Sequence, residues 1–263
     1  MLLAIDAGNT NVTFAVYSGR DLRIHWRIST QQGRTADEYT SLLDTLFGHE
    51  RLTFADIDDV VIASVVPAVT PDLMRLARKS FGSEPLVIGA AVDMGIEVRY
   101  QPPSDVGADR LVDAVAAVAK YGPAPLIVID FGTATTFNAV GEGNVYLGGA
   151  IMPSVALSWE MLYKRAARLS EQPREMPPHV IGVNTTHALQ SGMTYGLASM
   201  IDGMVAGFRR EMNAPDCHVI ATGGQAADLL APISTSITHV DPLLTLDGLR
   251  LVWERNRGKR RVS

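Results

Sequence analysis

The chain has 263 residues, 47% apolar and 19% charged, with 23 Lys and Arg against 28 Asp and Glu for a net charge of −5. That length predicts one large or two modest domains with a core that needs no disulfide or metal staple. The composition excludes a disordered or collagen-like chain, and the mildly acidic balance argues against a general binder of nucleic acid or of an anionic membrane.

The first thirty residues read as an antiparallel meander: Leu2–Ile5, Val12–Tyr17 and Leu22–Ser29, split by Gly/Asn turns. A helix is expected over Thr35–Phe47, with Thr35 as N-cap and Glu38 completing a capping box. Val60–Val65 reads as a buried strand, Thr70–Phe81 as a helix with Pro71 in its first turn, and Leu86–Ile88 as a short strand. A Pro-rich loop, Tyr100-Gln101-Pro102-Pro103-Ser104, precedes a helix over Ala108–Lys120. Gly122-Pro123-Ala124-Pro125 is the best linker, and beyond it strands restart at Leu126–Ile129, Thr135–Val140 and Val145–Ile151. Helical patterns follow at Val155–Leu169, Thr186–Met212, Ala226–Leu230 and Leu243–Arg255, with one more strand at His218–Ala221. Each half thus opens with strand, Asp, Gly turn and strand, a coarse duplication that predicts two α/β halves around a cleft.

Cys217 is the only cysteine, so an intrachain disulfide and a thiolate zinc cluster are excluded, which suits a reducing cytoplasm. No signal peptide is expected at Met1–Asp6, and the apolar runs fall short of the ~20 residues of a membrane span. The P-loop, Rossmann, H-E-x-x-H and G-x-S-x-G motifs are all absent, and the six histidines lack ligand spacing.

Asp6-Ala7-Gly8-Asn9-Thr10 is the first chemical candidate. Its carboxylate ends a buried strand, Gly8 suits a tight turn and close approach to an anion, and Asn9, Thr10, Asn11 and Thr13 add donors. Such a loop suits phosphate oxygens, with Asp6 on Mg²⁺ directly or through water; an ordinary hairpin turn is the plainer reading. Asp130-Phe131-Gly132-Thr133-Ala134-Thr135-Thr136 repeats the logic, and Thr222-Gly223-Gly224 is a third Gly turn. Gly107-Ala108-Asp109-Arg110 opens a helix. Two readings of it stand side by side: charges that serve the helix end and an ion pair, or a base at Asp109 beside an Arg110 that binds a substrate carboxylate. The basic run Arg255–Arg261 reads as a solvated tail, and the helical methionines Met161, Met176, Met193, Met200 and Met204 as core or dimer packing.

These motifs, with Tyr146–Ile151, Ile181-Gly182-Val183-Asn184-Thr185 and Gln190-Ser191-Gly192, stand in the order found in a known family. The chain resembles the type III pantothenate kinases of the acetate and sugar kinase/Hsc70/actin superfamily over nearly its whole length. The resemblance implies two similar actin-like, ribonuclease H-like α/β domains, placed at 1–121 and 122–263, with a cleft between them. It implies transfer of phosphate from ATP to pantothenate, the first step of coenzyme A biosynthesis, in a cytoplasmic homodimer that binds neither nucleic acid nor membrane. The residues it implies for ATP are Asp6, Ala7, Gly8, Asn9, Thr10, Asn11, Val12, Thr13, Thr133 and Gly223, with Asp6 near Mg²⁺. Asp109 matches the general base; Tyr100, Gly107, Ala108 and Arg110 match pantothenate contacts. Thr185 matches a contact supplied by the neighbouring subunit, and Asp130 matches the ligand of an activating K⁺ or NH₄⁺. Two departures stand out: Asn138, where the family often has Asp, and Ser154, where it usually has Gly and where Ser is expected to cap a helix. The alternative is a non-catalytic nucleotide-binding regulator on the same fold, or a kinase for a different small hydroxy acid.

Overall fold

The strand Leu2–Ala7 (β1) is buried at every position except Asp6, and its counterpart Leu126–Phe131 at every position except Asp130. In each, an apolar run long enough for a central strand carries one carboxylate just before its carboxyl end. The computed structural model describes residues 1–89, 91–165, 173, 175–224 and 230–260, without the side chains of 259 and 260. The chain divides into two units, Met1–Ala116 together with the residues from Thr245 onward, and Ala117–Leu244.

In the first unit, β1 pairs antiparallel with β2 (Asn11–Ser18), which pairs antiparallel with β3 (Asp21–Ser29). On its other side β1 runs parallel to β4 (Asp59–Ser64), and β4 parallel to the two-residue β5 (Leu86–Val87). The sheet order is therefore β3-β2-β1-β4-β5. Helix α1 (Ala36–His49) starts at Thr35 with the expected capping box, and buries Tyr39, Leu43 and Phe47, one face at i, i+4, i+8. Helix α2 (Thr70–Phe81) has the expected bounds with Pro71 in its first turn, and ends on Gly82 in the left-handed conformation. Both pack on Leu3, Ile5, Val60 and Ile62 of the sheet. A two-residue β6 (Glu97–Val98) and a single 3₁₀ turn (Pro103–Asp105) lead into α3 (Ala108–Tyr121).

The second unit repeats this plan. β7 (Leu126–Phe131), β8 (Ala134–Gly141), β9 (Val145–Pro153), β10 (His218–Gly223) and β11 (His239–Val240) stand in the order β9-β8-β7-β10-β11. The pairings have the same senses as in the first unit: antiparallel from β7 to β9, parallel from β7 to β11. The unit also holds helices α4 (Val155–Arg165), α5 (Thr185–Ser191) and α6 (Leu197–Glu211).

Three expectations change. The helix expected over Thr186–Met212 is interrupted by a π-helical segment, Gly192–Gly196. Thr194 Oγ1 donates to the carbonyl of Gln190 at 2.7 Å, and glycines stand at both ends of the segment. The last helix, α7 (Leu244–Arg260), lies in the half expected to be C-terminal, yet packs with the first unit. Tyr17 Oη donates to Asp247, Asn256 Nδ2 donates to the Asp93 carbonyl, and a Cβ on Gly248 would stand 2.2 Å from the Val112 carbonyl. The basic run is accordingly helical through Arg260, with Arg255 ion-paired to Asp93. Residues 226–229 of the helix expected over Ala226–Leu230, and residues 166–169 of the one expected over Val155–Leu169, lie outside the described residues.

Candidate active site

β1 delivers Asp6 to the carboxyl end of the first sheet, opposite Thr13 of β2 and beside Ala63 of β4. The turn that follows exposes Asn9 and Thr10. Ala7 and Val12 belong to the core, so of these two only the backbone is available to a ligand. Gly8 does not have a positive φ, and a Cβ there would meet only the Asn11 carbonyl, at 3.4 Å. The expected need for glycine to form the turn is therefore absent; what Gly8 contributes is access. Asn11 Oδ1 accepts from Arg27 Nη2 at 2.7 Å, which sets a guanidinium beside the loop.

Gly107 precedes the first turn of α3, and its carbonyl accepts from Leu111 N. Asp109 is not the helix cap: its Oδ1 accepts from the N–H of Arg110 at 2.8 Å. Burial pushes the Asp109 carboxyl above the usual carboxylate range, opposed by that hydrogen bond and by the Arg110 charge. A carboxylate that is short of water yet still ionisable suits a general base. Arg110 is 7% exposed, its guanidinium 6.0 Å from the Tyr100 ring centroid, so the structure brings together both charged groups and the aromatic expected there.

Val65, which sequence reasoning passed over, joins the two motifs. Its N–H donates to the Ala7 carbonyl at 3.1 Å, and its side chain lies 3.4 Å from where a Cβ on Gly107 would be. A cavity of about 540 Å³ opens against Ser64, Val65, Gly107 and Ala108, with aliphatic walls from Ile88, Val92, Met94 and Leu111. A larger cavity of about 620 Å³, at Met1, Asp58 and Glu84, touches none of the predicted site residues.

In the second unit Asp130 stands between two threonines on neighbouring strands, Thr136 of β8 and Thr222 of β10. Glycine backbones approach both carboxylate oxygens: a Cβ on Gly132 would be 2.9 Å from Oδ2, and one on Gly223 2.5 Å from Oδ1. Gly223, at φ +96°, thus uses its freedom to come close to Asp130 and the Phe131 backbone. Thr133 is exposed at the tip of the β7–β8 turn. Asn138 is fully buried, accepting from Tyr146 Oη at 2.9 Å and donating to Thr136 Oγ1 at 3.3 Å. Ser154 accepts from Leu157 N and begins α4 as expected. Thr185 is exposed as the first residue of α5, after Asn184, whose side chain caps His187 N.

Among the described residues, no three His, Cys, Asp or Glu side chains converge as metal ligands. The donor set fits Mg²⁺ that keeps much of its shell as water and phosphate oxygen on one carboxylate, the usual habit of that ion. The glycine-lined carboxylate of Asp130 likewise fits a hard monovalent cation. No helix of the described residues is long and apolar enough to cross a membrane.

A family model described as type III pantothenate kinase matches residues 2–207. A type III pantothenate kinase of Exiguobacterium sp. strain AT1b is 45% identical over 257 residues, covering 98% of this chain and 100% of that protein. One from Moorella thermoacetica is 44% identical over 256 residues, covering 97% and 100%. Among solved structures, a Campylobacter jejuni protein described as a candidate Baf family transcriptional activator superposes with TM-score 0.62 at 18% identity, covering 97% of this chain and 99% of that one. A candidate 2-dehydro-3-deoxygalactonokinase of Sinorhizobium meliloti gives 0.59 at 12%, with the same coverage. These two likenesses are of fold.

Proposed function

The chain belongs to the type III pantothenate kinase family, and from that premise we propose how its residues divide the work of phosphorylating pantothenate on the way to coenzyme A. Asp109 accepts the proton of the pantothenate hydroxyl. The hydroxyl oxygen forms a bond to the γ-phosphorus as the bond from that phosphorus to the β,γ-bridging oxygen breaks, leaving ADP and 4′-phosphopantothenate. Phosphoryl transfer of this kind asks for positioning and charge neutralisation more than covalent help, so a single well-placed base is enough.

Arg110 holds the pantothenate carboxylate, with Tyr100, Gly107 and Ala108 lining the same pocket. The aliphatic cavity wall beside Gly107 and Ala108 suits the substrate's gem-dimethyl group. The backbone of residues 6–13 cradles phosphate oxygens, with Thr133 and Gly223 also assigned to the nucleotide. Asp6 holds Mg²⁺, directly or through water, and Asp130 holds K⁺ or NH₄⁺; when bound, these cations neutralise charge on the triphosphate.

A homodimer in the cytoplasm completes the proposal. Every exposed large hydrophobic among the described residues falls in the second unit, including Ile181 (82%) and Val183 (83%) just before Thr185. Apolar side chains so exposed mark a surface made to be covered, and a second copy would bring Thr185 to a neighbour's substrate.

The observation that carries this reading is the half-buried Asp109 carboxylate, its charge disfavoured by partial burial, beside the buried Arg110 guanidinium that faces the half-buried Tyr100 ring. The test is ADP release coupled to a dehydrogenase assay with ATP, Mg²⁺, K⁺ and pantothenate. Absence of turnover in folded protein, with and without K⁺, would overturn it. ATP binding without phosphoryl transfer would instead point to the non-catalytic regulator.

A further inference from the structure

Thr30 lies one residue beyond β3, outside every motif in the sequence, yet it makes two hydrogen bonds to the loop that follows Asp6. Its Oγ1 donates to the Gly8 carbonyl at 2.7 Å, and its N–H donates to the Thr10 carbonyl at 2.9 Å. Two further bonds complete the set: Val65 N to the Ala7 carbonyl at 3.1 Å and Gly8 N to the Asn11 carbonyl at 2.9 Å. Four carbonyls of the loop, at residues 7, 8, 10 and 11, are thus each taken up by a protein donor.

This matters because a peptide is a planar, trans unit, so turning its carbonyl one way turns the N–H of the next residue the opposite way. With the Gly8 carbonyl held by Thr30 Oγ1, the Asn9 N–H is directed away from Thr30. With the Thr10 carbonyl held by Thr30 N, the same holds for the Asn11 N–H. Asn9 and Thr10 are exposed there. An anion is held by such outward N–H groups and repelled by outward carbonyls. Glycine geometry does not enforce the arrangement, since Gly8 lacks a positive φ and a Cβ would find no contact closer than 3.4 Å.

We propose that Thr30 is a positioning residue of the nucleotide loop, its hydroxyl fixing the Gly8–Asn9 peptide so that the loop offers N–H groups to the ATP phosphates. The proposal rests on the reading of residues 6–13 as the ATP loop. Thr30 itself touches no reactant. Its backbone bond to Thr10 survives any substitution other than proline, so the side-chain hydroxyl can be tested separately.

The experiment compares two pairs that differ by one hydroxyl, Thr30 with Thr30→Val and Thr30→Ser with Thr30→Ala, in the full chain. Titration calorimetry with a non-hydrolysable ATP analogue and Mg²⁺ measures the affinity, steady-state kinetics give KM for both substrates, and thermal melting reports folding. Losing one such hydrogen bond should weaken nucleotide binding by about three- to tenfold in each pair. Thr30→Ser should stay near the wild-type affinity, and KM for pantothenate should not move. Equal affinities within both pairs, in folded protein that binds the analogue, would overturn the role of Thr30 alone. A wild-type protein that does not bind the analogue would overturn the loop reading and the proposal with it.

Discussion

A β-carbon on Gly107 would stand 2.4 Å from Oδ1 of Asp109, inside any permissible contact. The glycine does not have a positive φ, so it is required by the neighbour's carboxylate and not by its own backbone. Gly107→Ala should therefore leave the fold in place and push the carboxylate out of its position. Misplacing a base by about 1 Å can cost on the order of a hundredfold, so kcat with pantothenate should fall at least tenfold, to about that limit, while the melting temperature moves little. A variant with unchanged kcat would show that the present orientation of Asp109 is not the working one.

The half-buried position of Asp109 makes a two-sided prediction about pH. Its carboxyl titrates above the ordinary value because burial disfavours the charged form. As a base it must be ionised, so the acidic limb of kcat/KM for pantothenate should lie above the ~3.9 of an unperturbed aspartate. Stability runs the other way. A raised carboxyl contributes most at low pH, and that contribution is lost as pH rises through its folded-state value. Asp109→Asn should thus lose most of kcat and its acidic limb, yet be at least as stable as the parent at neutral pH, with the difference closing in acid. Melting curves between acid and neutral pH check the sign; a variant less stable at neutral pH than in acid, relative to the parent, would refute it.

Gly223 and Asp130 carry a similar constraint with a different cause. Here φ is +96°, and an added Cβ would strike the Phe131 backbone N at 2.6 Å as well as the carboxylate. Gly223→Ala should cost about 1–3 kcal/mol from backbone strain alone and displace Asp130. Urea unfolding measures the first effect. The second should appear as a higher K⁺ concentration for half-activation, tested with NaCl at matched ionic strength; an unchanged K⁺ requirement would remove Asp130 as the ligand.

The two Asp-ended strands were legible because an apolar run that stops at a carboxylate and a Gly turn has few other readings. The α1 capping box and the limits of α2 were legible for a like reason: caps, Pro71 and Gly82 are local signals. Leu86–Ile88 was legible as a short apolar run and is β5, whereas the two-residue β6 and β11 are too short to show a period. Val65 and Thr30 donate to the loop after Asp6 from 58 residues beyond Ala7 and 22 beyond Gly8, through backbone carbonyls, and no residue pattern encodes such a contact. The periodicity of α7 was readable, but its partner was not: Gly248 lying against Val112 is a tertiary fit. The methionines divide the same way, Met193 and Met204 against the core and Met161, Met176 and Met200 exposed.

The proposed dimer can be tested through the residues it would bring together. If Thr185 serves the substrate bound to a neighbouring copy, each working site needs Asp109 from one chain and Thr185 from the other. Asp109→Asn and Thr185→Ala proteins would each be impaired alone. Mixed and allowed to exchange subunits, they form heterodimers in which one site carries both substitutions and the other carries neither. Activity should then rise on mixing towards about one-quarter of wild type, because random exchange makes half the dimers heterodimers with one intact site each. Introducing a charge at an exposed apolar position, as in Ile181→Asp, should lower the oligomeric mass seen by light scattering and abolish the recovery. Were Thr185 to act within its own chain, every mixed dimer would hold one site lacking the base and one lacking the threonine, and mixing would restore nothing.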